Sequence, residues 1–246
     1  MTDLTMIIPL TEWIAASLLI AVSACLQGVS GIGFGMVAAP ILAIIHPELV
    51  PGPMLFLGLV IAVMAVLREP AGLDRRGLAF ALAGRLPTSI LAAILIGVLP
   101  VKALGIVFAA IILGGVALSL ARVRLGPTPG TLLGAGLLSG FMGTITSVGL
   151  PPVALVYQGV PAPTLRATIG GYLAIGTVIS IAALATVGRF GVHDMALGLW
   201  LVVPMSLGFW VSTPLARRMP QRMVRIAVLG LSAAAALILL ARQLAA

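Results

Sequence analysis

Gln27-Gly28-Val29-Ser30-Gly31-Ile32-Gly33-Phe34-Gly35, followed by Ala39-Pro40, interrupts an apolar run near the start of the chain. It has an echo halfway along, Ser139-Gly140-Phe141-Met142-Gly143-Thr144-Ile145-Thr146-Ser147, followed by Pro151-Pro152. A shift of 112 residues lays Gly28 on Gly140, Gly31 on Gly143 and Pro40 on Pro152. Glycine lets the backbone turn sharply and lets other groups approach it. Inside a bilayer, broken backbone is tolerated only where protein or a water-filled cavity covers it. Two such breaks at matching places in two halves point to a transport site.

Around these stretches the 246 residues are 61% hydrophobic and 8% charged, with a mean hydropathy of +1.25. That is the composition of a polytopic helical membrane protein, not of a soluble domain. The apolar runs do not alternate with polar residues, which excludes a β-barrel reading. The net charge of +8 comes from arginines scattered between apolar runs. It reads as the positive-inside rule and not as a nucleic-acid surface. The single cysteine, Cys25, permits no internal disulfide. The N-terminus carries Asp3 and Glu12 but no Lys or Arg, so the first apolar run is expected to be retained, not cleaved as a signal.

Apolar runs fall at 12–29, 35–46, 52–67, 77–99, 103–121, 130–142, 149–160, 167–187, 195–216 and 224–241. A helix needs roughly 20 residues to cross the hydrocarbon core. The runs at 35–46, 130–142 and 149–160 are too short and read as arms of hairpins that enter and leave on one side. The two halves match further on. Pro51 falls on Pro163, Arg85-Leu86-Pro87 faces Val202-Val203-Pro204, and Pro100-Val101-Lys102 faces Pro220-Gln221-Arg222. An internal duplication follows, with residues 1–125 as the first transmembrane repeat and 126–246 as the second. Pro87 and Pro204 are expected to kink their helices.

Charge chooses between two topologies. If each Gly-rich stretch belongs to one ordinary span, seven basic residues face six across the membrane. If each is a hairpin, Arg68, Arg75, Arg76, Arg122, Arg124, Arg166, Arg217, Arg218, Arg222 and Arg225 share one side. Only Lys102, Arg189 and Arg242 lie opposite, as the positive-inside rule expects. The hairpin topology places both termini outside the cytoplasm. It also starts the second repeat on the opposite side from the first. The fold expected is thus all-α and polytopic: two inverted repeats, each a re-entrant or broken helical hairpin followed by three transmembrane helices.

Each hairpin's second arm begins at its tip, near Phe34 and near Gly149. A helix N-terminus offers unpaired N–H groups and a partial positive charge. Two converging ends make an anion site. Its expected members are Ser30, Gly31, Gly33, Phe34 and Gly35 from one tip, and Gly143, Thr144, Thr146, Ser147 and Gly149 from the other. The competing reading is that these small residues only permit tight helix packing. Arg85 lies some eight residues into a span. It either snorkels to the nearby cytoplasmic face or attracts anions at a vestibule. Tyr157, Gln158 and Tyr172 flank the second hairpin as path-lining candidates, with packing as the alternative. All six carboxylates lie near run ends, which argues against a buried carboxylate proton relay. His46 and His193 lack a second ligand at metal spacing, and no cofactor is expected. No phosphate-binding loop or nucleophile elbow occurs, which argues against an enzyme.

Gly28 to Gly35 leading to Pro40, repeated as Ser139-Gly140 to Pro152, resembles the TauE/SafE sulfite exporter family, also called TSUP or DUF81. The likeness spans nearly the whole chain. It implies a bacterial inner-membrane carrier of sulfite, sulfonates or related anions, with the paired Gly-rich segments forming the substrate path. Here Thr144, Ile145, Thr146 and Ser147 stand where the family carries a glycine run. The expected function is secondary transport of a small anion, sulfite or an organosulfonate, by alternating access in a lipid bilayer. H+ or Na+ is the candidate coupling ion. A channel-like facilitator and a non-transporting assembly protein are the alternatives.

Overall fold

The computed structural model describes residues 9–68, 72–121, 123, 125–216 and 218–245. Arg122, Arg124, Arg217 and the side chain of Arg68, all used in the charge comparison, lie outside the described residues, as does Asp3. Among those residues the chain is all helical. The order is α1 (Leu10–Ser30), α2 (Phe34–Ile45), a 3-10 turn (Pro47–Leu49), α3 (Gly52–Arg68), α4 (Arg75–Val98) and α5 (Val101–Leu120). There follow α6 (Pro129–Thr146), α7 (Leu150–Val156), α8 (Ala162–Thr186), α9 (Val192–Ala216) and α10 (Gln221–Ala245). Six of these, α1, α4, α5, α8, α9 and α10, are long and apolar enough to cross a bilayer.

Local chemistry sets the boundaries. Asp74 caps α4 by accepting from the Gly77 N–H at 2.9 Å. Thr128 and Thr131 cap α6 reciprocally, with Pro129 at its first position, where no N–H is needed. The second hairpin differs from expectation at both arms. Its first arm runs on from 142 to Thr146, where the Thr144 hydroxyl bonds Ser180 and the Thr146 hydroxyl donates to the Met142 carbonyl within the helix. Its second arm stops at Val156 and not near 160, because Tyr157 turns to a partner on another helix. Pro87 and Pro204 lie inside continuous helices.

Two helix crossings are close enough to exclude side chains. In α4 against α6, a Cβ on Gly84 would lie 2.9 Å from the Leu137 nitrogen, and one on Gly140 would lie 2.5 Å from the Arg85 carbonyl oxygen. In α1 against α9, a Cβ on Gly208 would lie 2.8 Å from the Ala21 Cα. Small residues here serve contact in an apolar solvent, where van der Waals fit replaces the hydrophobic drive. Leu86, Ile90 and Ile94 on α4 and Val203, Leu207 and Trp210 on α9 point outward, as lipid-facing surfaces do.

The helices have two ends in common. At the near end, where α3 begins, His46 Nε2 lies 3.4 Å from Glu12, Asp194 covers Gly52, and Gln243 covers Gly105. At the far end, where α4 begins, the Tyr157 hydroxyl donates to Asp74 at 2.9 Å, and Arg225 donates to the Ser119 carbonyl. The α1–α2 hairpin therefore starts and finishes at the near end. The α6–α7 hairpin returns to the far end. Packing follows the same exchange. The pairs α1–α9, α2–α10 and α3–α9 have their counterparts in α6–α4, α7–α5 and α8–α4, while α3–α8 and α5–α10 pair across the halves.

Candidate functional site

The two hairpin elbows are built alike. At the first, Gly31 takes the left-handed conformation with φ 74° and ends α1, Gly33 follows with φ 146°, and α2 begins at Phe34. At the second, Ser147 takes the same conformation with φ 61°, and α7 begins at Leu150 after Gly149. Ser30 donates to the Leu26 carbonyl at 2.7 Å and accepts from the Ile32 N–H at 3.4 Å. Thr146 donates to the Met142 carbonyl at 2.7 Å and accepts from the Val148 N–H at 3.2 Å. The structural match at the elbows is therefore Ser30 with Thr146, Gly31 with Ser147 and Gly33 with Gly149. That is a shift of 116, not the 112 read from the glycines.

The elbows meet. A Cβ on Gly35 would come within 2.6 Å of the Ser147 carbonyl oxygen, so only glycine permits the approach. Beside this contact lies a cavity of about 60 Å³. By the same measure a water needs roughly 10–15 Å³, so the space suits a small solute. Gln27, Gly33, Phe34 and Gly35 line it from one elbow, and Ser147, Val148, Gly149 and Leu150 from the other. Gly58 and Ile61 of α3 and Leu173 and Thr177 of α8 close its flanks, well inside those helices. Gln27 braces the first elbow: its Oε1 accepts from the Phe34 N–H at 3.2 Å and its Nε2 donates to the Gly31 carbonyl at 3.1 Å.

Behind the second elbow stands Arg85, only 1% exposed. It does not snorkel. Its Nε donates to the Gly176 carbonyl at 2.9 Å, Nη1 to Ser139 at 3.3 Å and Nη2 to Ser180 at 3.1 Å. The guanidinium lies over the Tyr172 ring, 5.3 Å from its centroid. Ser139 passes its own hydrogen to the Gly149 carbonyl, tying the cation to the elbow. Among the described residues no carboxylate lies within ion-pair distance of Arg85. A Cβ on Gly149 would sit 3.0 Å from Nη1, so the cavity wall is one glycine thick there. Buried charge in a membrane is costly and needs a partner. Three neutral acceptors and a π-face solvate this one but do not neutralise it.

The residues singled out in the sequence separate into groups. Gly33, Phe34, Gly35, Ser147 and Gly149 line the cavity. Gly143 and Arg85 stand directly behind it, with a Cβ on Gly143 3.0 Å from Nη2. Thr144 is buried and bonds Ser180 at 2.8 Å, one step from the guanidinium. Ser30 and Thr146 turn their hydroxyls onto their own helices, and Gly31 is exposed. Gln158 is exposed beyond the end of α7, away from the cavity. Tyr172 is buried beneath Arg85. Tyr157 holds Asp74, and burial with that carboxylate beside it raises its phenol above the ordinary range. Reading the sequence did not single out Gln27, Ser139, Gly176, Thr177 or Ser180. A signal existed: Tyr172, Gly176 and Ser180 recur at four-residue spacing, which puts them on one helix face.

Comparison with curated proteins and with solved structures gave no match. The family described as sulfite exporter TauE/SafE matches residues 16–239, which takes in both elbows, the cavity between them and Arg85. On that match over nearly its whole length, with six helices fit to cross a bilayer, the chain belongs to the sulfite exporter TauE/SafE family, a family of membrane transporters.

Proposed function

We propose that the protein is a secondary carrier for a small oxyanion, sulfite or an organosulfonate, bound in the cavity between the two elbows. The observation that carries this is Arg85: a buried cation that no carboxylate among the described residues pairs, one glycine behind the cavity wall. A bound anion supplies the missing counter-charge. The Gly35 and Leu150 N–H groups, the Thr177 hydroxyl and the second Nε2 hydrogen of Gln27 would complete its shell. The apolar walls at Phe34, Ile61 and Leu173 lower the local dielectric and so strengthen each of these attractions.

The two halves act as inverted repeats. Hairpins that return to opposite ends and a packing list that survives exchange of the halves support this. Rocking of one repeat against the other then exposes the cavity to each side in turn. Arg75, Arg76, Arg166, Arg218, Arg222 and Arg225 cluster at the far end, against Lys102, Arg189 and Arg242 at the near end. By the positive-inside rule the far end is cytoplasmic, and both termini lie on the other side of a bacterial inner membrane. Export of one negative charge down an inside-negative potential gains about 2.3 kcal/mol per 100 mV and needs no coupling ion. The test is saturable counterflow of labelled sulfite in proteoliposomes. Trans-stimulation by unlabelled anion is the expected result. Flux that is linear in concentration and insensitive to trans anion would mark a pore instead.

A further inference from the structure

At the far end, three elements are tied together by one carboxylate. Asp74 caps α4 through Oδ1, accepts the Tyr157 hydroxyl on Oδ2 at 2.9 Å, and donates its own N–H to Thr168 of α8 at 3.0 Å. Three elements, the start of α4, the end of α7 and the start of α8, meet on that residue. The Tyr157 hydroxyl also stands where a side chain on Gly77 would project.

The near end has similar parts, differently joined: His46 turns Nε2 to Glu12 at 3.4 Å and leaves Nδ1 unused. His46 follows α2 as Tyr157 follows α7. The shift of 117 that carries Pro87 to Pro204 carries Gly77 to Asp194, so the near end has a carboxylate at the position facing the α2 terminus. In this structure Asp194 instead accepts from the Gly191 N–H at 2.9 Å and lies over Gly52. His46 Nδ1 is buried with no hydrogen-bond partner. A buried polar nitrogen left unpaired is costly. It is explained if its partner is present in a second conformation.

We infer that Asp74–Tyr157 and Asp194–His46 are alternating latches on the two mouths of the cavity, the far one closed here and the near one open. Rocking the repeats breaks the Tyr157–Asp74 bond and brings Asp194 to His46 Nδ1, which closes the near mouth. Each conformation thus carries one made latch and one unmade one. This rests on the carrier reading, since a pore would need no alternation.

The experiment measures modification of Thr177→Cys, a cavity-lining position, in a Cys25→Ser background. A membrane-impermeant maleimide is applied from one side at a time to oriented vesicles. Tyr157→Phe removes only the hydroxyl. It is expected to raise the rate from the far end about tenfold, the population shift that losing one hydrogen bond to a carboxylate produces. Asp194→Asn and His46→Phe are expected to lower that rate by a similar factor, because they unlatch the alternative. Leu173→Cys is the second reporter should Thr177→Cys disturb folding. Rates within twofold of the parent for folded Tyr157→Phe would overturn the latch while leaving counterflow intact. Absence of saturable counterflow in the unsubstituted protein would overturn the carrier reading itself.

Discussion

Replacing Arg85 by glutamine removes the positive charge behind the cavity and keeps a side chain that can still donate to the Gly176 carbonyl. An anion beyond the Gly149 backbone would sit roughly 7 Å from the guanidinium, where the attraction at an effective dielectric near 20 is about 2 kcal/mol. That corresponds to roughly 30-fold in affinity. Two opposing effects act on stability. The variant gives up bonds to Ser139 and Ser180, but it also relieves the burial of a charge with no counter-ion. The melting temperature therefore moves little, and binding is the sensitive readout. Initial rates of sulfite counterflow over a concentration series give KM and maximal rate separately. The expected result for Arg85→Gln is a KM raised about 30-fold. Arg85→Lys falls between the two, because it keeps the charge and loses the fork that reaches Gly176, Ser139 and Ser180 together. A folded Arg85→Gln protein whose KM stays within threefold of the parent would refute the assignment of Arg85 as the counter-charge.

Gly176→Ala places a methyl 2.5 Å from Nε and 2.7 Å from Cζ of Arg85. It should displace the guanidinium and raise KM tenfold or more, read in the same counterflow series. Gly35→Ala puts a Cβ 2.6 Å from the Ser147 carbonyl oxygen and should force the elbows apart, abolishing counterflow in a protein that still purifies as a folded species. Gly208→Ala meets the Ala21 backbone where α1 crosses α9; overpacking costs about 1–3 kcal/mol, visible as a lower melting temperature in detergent. Ser30→Ala removes a hydroxyl that serves its own helix, so KM should stay within twofold while stability falls by about 1 kcal/mol.

Much of the fold was readable because apolar run length and glycine position are local properties. The hairpins, the three helices after each and the elbow positions near Phe34 and Gly149 follow from them. The repeat register did not. Glycines suggested a shift of 112, but the elbow is set by whichever residue takes the left-handed conformation, and in the second copy that is Ser147. A serine at positive φ is uncommon and leaves no mark in the sequence. The depth of Arg85 was equally unreadable. Its place near the start of α4 fits snorkelling, and partners 54, 91 and 95 residues away hold it inside. The short α7 ends on a bond between Tyr157 and Asp74, 83 residues apart. Gln158 looked path-lining because the run appeared to continue to 160.

The site is lopsided in a way that suits release as well as capture. Position 27 carries a glutamine that caps α2. Its counterpart at the 116 shift is Gly143, whose missing side chain leaves the room that the Arg85 guanidinium fills. The counterpart of Arg85 on α9 is Val202, which carries no charge. One elbow thus offers an amide and the other a cation. A second buried arginine would double an already costly desolvation. It would also hold an anion too tightly for turnover, since conduction needs binding weak enough to leave. In the carrier proposed above, like geometry in the two halves would serve the rocking, while unequal chemistry would keep the binding well shallow. A Val202→Arg variant that bound sulfite more tightly and moved it faster would contradict this reasoning. Tighter binding with slower turnover is the expected result.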